Sequence, residues 1–259
     1  MGTIRGLATD DCGAANGSMG IAQLDYNRDG LTDVWVTNYE RESFALYRND
    51  GNASFTHASE AAGVFALGAN NVGFGTVAGD FDRDGDEDLA VANGHVIRFP
   101  ERGSVQQKPL LLELEQDRFQ AVAFPQDAYL AQPHHGRGLA VGDLDSDGSL
   151  DLVFANNQEA AAVLRNTSQP AGSWVGVHLI GRASNRDAVG SRVVLHTNGR
   201  TQLRLTVGGG SYLSQQDPRL HWGLPRGERA THLEIVWPDG QRQEVTVDRE
   251  RPYLTVRQP

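Results

Sequence analysis

Three stretches of the 259-residue chain carry acidic side chains at regular intervals, and this spacing is the strongest chemical signal in the sequence. They read DYNRDGLTD from Asp25, DFDRDGDED from Asp80 and DLDSDGSLD from Asp143, so all three fit the pattern D-x-[DN]-x-D-G-x-x-D. Oxygen side chains at positions 1, 3 and 5 can surround a hard cation, and the glycine at position 6 permits the turn that brings them together. The sequence therefore predicts three cation-binding loops.

Each loop is expected to supply five ligands, namely the side chains at positions 1, 3, 5 and 9 and the backbone carbonyl at position 7. A cage of five protein oxygens suits Ca²⁺ better than the smaller, more strongly hydrated Mg²⁺, so about three Ca²⁺ ions per chain are predicted. The predicted ligands are Asp25, Asn27, Asp29, Asp33 and the Leu31 carbonyl in the first loop; Asp80, Asp82, Asp84, Asp88 and the Asp86 carbonyl in the second; and Asp143, Asp145, Asp147, Asp151 and the Ser149 carbonyl in the third.

Two other structures also use acidic, glycine-containing loops. An EF-hand needs a glutamate at position 12, where this chain has Val36, Val91 and Phe154. Plain Asp/Gly turns without an ion are common between strands. Three copies that share the acid at position 9 and the same flanking pattern favour the cation loops over both alternatives.

The segments that must position these loops are short and apolar. GIAQL, GTVAG and GLAVG come before the three loops, and DVWVTN, DLAVAN and DLVFANN follow them. Such runs are too short and too rich in β-branched residues for EF-hand helices, so each loop is expected to join two adjacent strands. With 30 Gly and 10 Pro separating these runs, the sequence predicts an all-β protein.

Composition excludes several classes of protein. The net charge of -10 is local, because 13 of the 33 acidic residues fall within the three loops. One cysteine rules out a disulfide framework and a cysteine-rich zinc module. No apolar run reaches membrane-spanning length, no signal peptide is recognisable, and no basic stripe with interleaved aromatics indicates nucleic-acid binding.

The repeats resemble the FG-GAP or VCBS family of calcium-loop propeller blades. The resemblance rests on Gly73-Phe74-Gly75 and Ala78-Gly79 ahead of Asp80, and on the tight turn at Asn49-Asp50-Gly51. It implies three four-stranded blades of a partial β-propeller at about 20–65, 72–125 and 137–168, within a repeat region at 20–168, with structural Ca²⁺. Residues 1–19 would then be the remnant of a preceding blade or a linker.

The segment 173–257 resembles the β-rich ASPIC/UnbV domain, most closely across 184–190 and 208–223. Together the two resemblances indicate the CRTAC-like, ASPIC/UnbV-containing family. They imply a C-terminal portion of a longer propeller protein and an extracellular, periplasmic or cell-surface location. Self-association through open blade edges is the alternative consequence of having only three blades.

No catalytic motif is recognisable, so we expect a non-enzymatic protein that binds a protein or glycan partner, as in adhesion. The alternative is an accessory protein or enzyme of bacterial secondary metabolism, with a site in 208–223 around Ser211, Asp217 and His221. The glycines at 208–210 are expected to form a turn or a bulge, and the His134-His135 pair to be exposed. The tryptophans expected in the C-terminal core are Trp174, Trp222 and Trp237.

Overall fold

The computed structural model describes residues 5–10, 12–68, 70–97, 99–100, 103–247 and 253–259. Strands dominate this part of the chain, and a 3-10 turn at Tyr129–Ala131 is a short exception. Within these residues the strands form five small sheets of three or four strands each. The prediction of an all-β protein is confirmed.

The first blade is an antiparallel sheet whose strands are neighbours in chain order. Ala22 and Leu24 are buried while Ile21 and Gln23 are exposed, the alternation expected of a strand with one face in the core. The first acidic loop joins the first two strands. The strands are β1 (Ile21–Leu24), β2 (Asp33–Val36), β3 (Ala45–Asn49) and β4 (Phe55–His57).

The second blade also has four antiparallel strands, although its outer part lacks the usual repeat sequence. Gln116 and Asp117 form a two-residue hairpin turn, with φ of 51° and 62°. Positive φ at both turn residues matches the twist of the flanking strands. The strands are β5 (Gly73–Gly79), β6 (Asp88–Asn93), β7 (Leu110–Glu115) and β8 (Arg118–Ala121).

The third blade has three strands, so the prediction of three four-stranded blades was wrong at this point. Its strands are β9 (Gly136–Gly142), β10 (Asp151–Asn156) and β11 (Ala162–Leu164). After β11 the chain turns toward the second blade, where the Asn166 side chain donates to the Phe81 carbonyl at 2.7 Å and the Ala171 N–H donates to the Asp82 carbonyl at 2.7 Å. Among the described residues, no fourth strand pairs with β11.

The blades pack face to face with their first strands, β1, β5 and β9, side by side. Trp35, Phe44 and Leu46 of the first blade share a core with Leu89 and Phe119 of the second. A second core lies between the second and third blades. Its buried members are Val77, Phe81, Ala90, Ala92, Leu139, Leu150, Leu152 and Phe154.

The C-terminal module consists of two sheets with a core of their own. One has the order β15-β12-β18, with β12 and β18 parallel, and the other the order β14-β13-β16-β17, with all neighbours antiparallel. Trp222 and Trp237 are fully buried in this core. The strands are β12 (Ser173–Ile180), β13 (Arg192–Thr197), β14 (Thr201–Leu205), β15 (Leu220–Leu224), β16 (Ala230–Val236), β17 (Arg242–Thr246) and β18 (Tyr253–Arg257).

Two local expectations are corrected, and one lies partly outside the described residues. Trp174 lies outside the module core and stacks on His221, with ring centroids 5.4 Å apart. His134 and His135 are half-buried because His134 stacks on Tyr129 and His135 contacts the His95 carbonyl. Of the segment 1–19, residues 1–4 and 11 lie outside the described residues, and no strand is assigned to the rest.

Candidate metal centres

The three acidic loops occupy the same place in their blades, between the first and second strands. In each blade the residue just before position 1 is the direct cross-strand partner of the acid at position 9. These pairs are Leu24 with Asp33, Gly79 with Asp88, and Gly142 with Asp151. The sheet thus fixes both ends of every loop.

The loops also share one backbone conformation. Position 4 has positive φ in all three, at 60° for Arg28, 64° for Arg83 and 62° for Ser146. The glycine at position 6 has φ of 79°, 89° and 83° in turn, a conformation that costs glycine little. In each loop this glycine donates its N–H to the aspartate at position 1, from Gly30 to Asp25 at 2.9 Å, Gly85 to Asp80 at 2.8 Å and Gly148 to Asp143 at 2.9 Å.

The carboxylate at position 9 ties each loop to the third strand of its blade or to the chain just beyond that strand. One oxygen accepts the N–H of position 2, from Tyr26 at 3.0 Å, Phe81 at 3.1 Å and Leu144 at 2.9 Å. The other accepts a more distant N–H, from Asn49 at 2.7 Å, Leu114 at 3.0 Å and Asn166 at 2.8 Å. An acid at this position therefore organises the loop through both of its oxygens.

Carboxylates from positions 1, 3 and 9 converge in two of the loops. The ligand oxygens of Asp80, Asp82 and Asp88 lie within 4.8 Å of one another, and so do those of Asp143, Asp145 and Asp151. In the first loop Asp25 and Asp33 occupy positions 1 and 9, and position 3 is the amide Asn27, whose Nδ2 donates to Asp29 at 2.9 Å.

The side chains at position 5 in all three loops, and at position 7 in two of them, make hydrogen bonds or ion pairs of their own. The carboxylate at position 5 accepts the N–H of position 7, in Asp29 from Leu31 at 2.8 Å, in Asp84 from Asp86 at 2.8 Å and in Asp147 from Ser149 at 2.7 Å. At position 7 the side chains of Asp86 and Ser149 bind arginines. The structure therefore groups positions 1, 3 and 9 in the second and third loops, and in all three loops position 5 forms a hydrogen bond within the turn.

The buried carboxylates of the first two loops carry, when they are ionised, a negative charge that the protein compensates poorly. Burial, followed by repulsion from Asp84 and Asp82, raises the pKa of Asp80 to about 8. Burial likewise raises the pKa of Asp88 to about 9 and of Asp33 to about 7. Asp80 is 1% exposed, and its Oδ1 has no hydrogen-bond partner. An orphaned oxygen inside a trio of carboxylates fits a bound cation, which would neutralise the charge and satisfy the oxygen.

The third loop is compensated in part by an arginine from its own blade. Arg165 lies 2.7 Å from Asp145 and 3.2 Å from Asp147. The pKa of Asp147 is lowered, chiefly by the Ser149 N–H. This loop therefore carries less uncompensated charge than the second.

Arginines at position 4 link neighbouring loops, which the sequence prediction missed. Arg28 of the first loop lies 2.9 Å from Asp86 at position 7 of the second. Arg83 of the second loop donates to the Ser149 hydroxyl at position 7 of the third. The recurrence of arginine at position 4 in two loops was the available sequence signal for this link.

The C-terminal module lies directly against the loops. Arg200 donates to the Asp86 carboxylate and to the Asp84 carbonyl, each at 3.0 Å. Arg204 lies 3.0 Å from Glu87, which is 6% exposed and also accepts the Asp25 N–H at 3.0 Å. The module thus contacts the second loop directly and the start of the first loop through Glu87. These contacts had no signal in the sequence.

The third loop is covered by aromatic and basic side chains of the same module. The Tyr253 hydroxyl donates to Asp143 at 2.7 Å, and the Arg219 guanidinium donates to the Asp143 carbonyl. His221 Nε2 lies 2.9 Å from the Gly148 carbonyl, which fits an N–H donated from this nitrogen. Three side chains of the C-terminal module thus contact one loop.

A cavity of about 470 Å³ separates the first strands of the blades from the C-terminal module. Asp217 and His221 line it, as do the glycines at 208–210, whereas Ser211 accepts the Thr76 N–H at 2.9 Å outside the lining. Both oxygens of Asp217 bind Arg219, and burial lowers the pKa of His221 to about 4. The structure therefore brings together two of the three residues of the alternative site.

Among the described residues, no helix combines the length and apolar character needed to cross a membrane. Residues 25–91, which include the first two loops, match the family described as FG-GAP-like repeat, and residues 181–259 match that described as ASPIC and UnbV. The third loop, at 143–151, shares the conformation of the first two although it lies beyond the matched segment.

Among curated proteins, this chain is similar to cartilage acidic protein 1, with 30% identity over 232 residues in Xenopus tropicalis and 30% over 239 residues in Mus musculus. These alignments cover 86% of this chain and 34% of each relative, so the chain spans about a third of their length. The family resemblance inferred from the sequence is confirmed. The chain thus combines FG-GAP-like repeats with an ASPIC and UnbV domain and is related to cartilage acidic protein 1.

Proposed function

We propose that this chain is a non-enzymatic, calcium-binding repeat protein in which Ca²⁺ has a structural role. The observation that carries the proposal is Asp80, a buried carboxylate with an unpartnered oxygen beside the carboxylates of Asp82 and Asp88. The side chains that would hold the ions are those at positions 1, 3, 5 and 9 of the three loops, with the position-7 carbonyls. A bound Ca²⁺ would supply positive charge where the fold has brought like charges together.

The residues themselves perform the structural work around each ion. The position-9 carboxylates bind the third strand or its continuation, and the position-1 carboxylates bind the loop glycines. The same carboxylates would ligate the ion in their ionised form. Ion binding and folding therefore depend on the same groups. Metal affinity then contributes to the free energy of folding.

The test is to count bound ions and measure thermal stability with and without them. The purified chain should contain about three Ca²⁺ ions, and chelation should lower its melting temperature substantially. Asp82→Ala should lose one ion and part of the stabilisation by calcium, whereas Asp187→Ala, an exposed aspartate outside the loops, should lose neither. An unchanged melting temperature after complete chelation contradicts the proposal.

We propose an extracellular or periplasmic location and a macromolecular partner, either a protein or a glycan. Support comes from the FG-GAP-like match and the similarity to cartilage acidic protein 1. Binding to immobilised glycans and extracellular-matrix proteins should be compared in calcium and in chelator. Fractionation of cells that express the protein from its natural gene tests the location.

A second candidate, a small-molecule function in secondary metabolism, has the 470 Å³ cavity in its favour. Part of its polar lining is already engaged, because Asp217 is held by Arg219 and Tyr253 donates to Asp143. Thr206 Oγ1 and His221 Nδ1, by contrast, line the cavity without a hydrogen-bond partner. Thermal-shift screening with small polar metabolites distinguishes the two functions. A ligand that stabilises the normal chain but not Asp217→Asn, at saturating calcium, supports this second function.

A further inference from the structure

A pair of histidines lies on the outer face of the four-stranded sheet in the C-terminal module. His196 on β13 and His232 on β16 are direct cross-strand partners, and their rings stack with centroids 4.2 Å apart and an angle of 7° between planes. The alternate residues Leu195 and Leu233 point into the module core. The histidines therefore face away from the core, on the side open to solvent.

Glu234 completes this cluster from the same strand face. It lies two residues beyond His232, and its Oε1 is 3.2 Å from Nε2 of His196. The glutamate side chain is 53% exposed, so the cluster is reachable from solvent. One ligand atom from each of the three residues lies within 4.8 Å of the other two.

The hydroxyl of Thr231 determines which nitrogen of His232 can bind an ion. The hydroxyl has a single proton, which it donates to the His196 carbonyl at 3.0 Å. The Thr231 oxygen therefore acts as an acceptor toward Nδ1 of His232, which lies 3.1 Å away. Neutral His232 then carries its proton on Nδ1 and keeps a lone pair on Nε2. A hydrogen bond that fixes the non-ligating nitrogen is the usual outer-shell arrangement of a metal-bound histidine.

His196 presents a nitrogen whose surroundings lack a hydrogen-bond partner. Its Nε2 is buried and makes no hydrogen bond, although a carboxylate oxygen of Glu234 lies 3.2 Å away. A buried nitrogen of this kind is costly in the absence of a partner. Coordination of a cation shared with Glu234 satisfies the nitrogen and the carboxylate together.

We infer that His196, His232 and Glu234 bind a divalent transition-metal ion of the Zn²⁺ class. Two imidazole nitrogens and one carboxylate form a ligand set typical of zinc, with the fourth position open to water or to a partner. Ligand atoms around tetrahedral zinc are about 3.3 Å apart, given Zn–N distances near 2.0 Å, and the atoms of this cluster lie within 4.8 Å of one another. Zinc binding requires the two stacked rings to turn out of their parallel arrangement, so that the in-plane lone pairs of both meet at the ion. The oxygen-only loops suit Ca²⁺ instead, and this site shares no residue with them.

The test uses the full chain, stripped of metal and then saturated with Ca²⁺ so that the loops do not take up zinc. Calorimetric titration with Zn²⁺ should show one site per chain, and Co²⁺ should give visible bands typical of tetrahedral coordination. His232→Ala should weaken zinc binding by at least about tenfold, because removing a ligand costs no less than removing its outer-shell support. His178→Ala, a half-buried histidine on β12 of the same module, is the matched control.

Glu234→Gln provides a second variant, since it retains the side-chain size and leaves both histidines in place. It should also weaken zinc binding while leaving the melting temperature in calcium unchanged. Equal zinc affinity in the normal chain and in both site variants overturns the inference. So does a loss in His178→Ala as large as that in His232→Ala.

Discussion

The aspartates at the first and ninth positions of the second loop lie where ionisation is expensive. An aspartate in water ionises near pH 4, whereas burial raises the pKa of Asp80 to about 8 and that of Asp88 to about 9. Backbone N–H groups from Phe81 and Leu114 offset part of this effect at Asp88. In the absence of a cation these groups hold protons near neutral pH that an unfolded chain would release.

This difference sets the sign of the pH dependence in chelator. Between the unfolded pKa near 4 and the raised folded values, the folded state binds more protons than the unfolded state. The stability of the ion-free chain should therefore fall as pH rises from 6 to about 9. Urea unfolding in chelator at several pH values measures this slope.

Calcium should reverse that trend, because the ion binds the ionised form and protons compete with it. Stabilisation by Ca²⁺ should therefore increase with pH over the same range. Asp88→Asn removes one of the titrating groups and should flatten the slope in chelator. A stability in chelator that rises with pH across this range is incompatible with the raised pKa values.

At the residue scale, the sequence indicated which acidic residues share a loop, but not which side chains of the C-terminal module contact those loops. The spacing of the aspartates directly encodes a shared loop conformation. Arg204 and Glu87, by contrast, are 117 positions apart and meet only because two modules pack together. Such a pair leaves no local periodicity for a sequence to reveal.

At the scale of the loop, comparing two of the position-6 glycines distinguishes the cost of backbone strain from the cost of a packing clash. Gly30 and Gly148 have nearly the same φ, 79° and 83°, in equivalent loops. A Cβ on Gly30 would meet nothing within 4 Å, whereas one on Gly148 would lie 1.9 Å from the Trp174 ring. The two positions thus share the left-handed conformation and differ in what surrounds it.

Alanine substitutions at these two glycines should therefore have unequal effects. Gly30→Ala should cost about 1–2 kcal/mol, the penalty of a left-handed conformation for an L-residue. Gly148→Ala should cost roughly 1–3 kcal/mol more, because Trp174 must move away from the loop. Denaturant unfolding in saturating calcium measures both, and equal losses would show that Trp174 does not contact the loop in solution.

The strands flanking the loops were predictable because their sequence signals are local. Alternating apolar runs correspond to strands of the structure. In the C-terminal module, Asn198-Gly199 lies between the paired strands β13 and β14, and Asp239-Gly240 lies between β16 and β17. The missing fourth strand of the third blade was not predictable, since Asn166 bonds to Phe81 of another blade. Local pattern cannot reveal a segment diverted by a tertiary hydrogen bond.

At the scale of the whole molecule, the C-terminal module covers the loop side of the blades. A charge pair lies inside this contact, with 14% of the Arg204 side chain and 7% of the Glu87 side chain exposed. Removing one member of such a pair leaves the other charge buried without compensation. The interface should therefore tolerate the loss of both charges better than the loss of one.

Arg204→Met should destabilise the chain by about 3–5 kcal/mol, the usual cost of breaking a buried pair. The double variant Arg204→Met/Glu87→Gln should recover a large part of that loss, because it leaves no buried charge unpaired. Chemical denaturation in calcium measures the double-mutant cycle. A double variant as unstable as the single one would contradict the role assigned to the unpaired charge.

The position of Trp174 has a practical consequence for following the third loop. The chain has four tryptophans, and Trp35, Trp222 and Trp237 are at most 1% exposed within cores. Trp174 alone stands at the loop, stacked on His221 and in contact with Gly148. A quencher in solution would therefore act mainly on the emission of Trp174, so that the native fluorescence of the chain reports optically on this one junction without an attached dye.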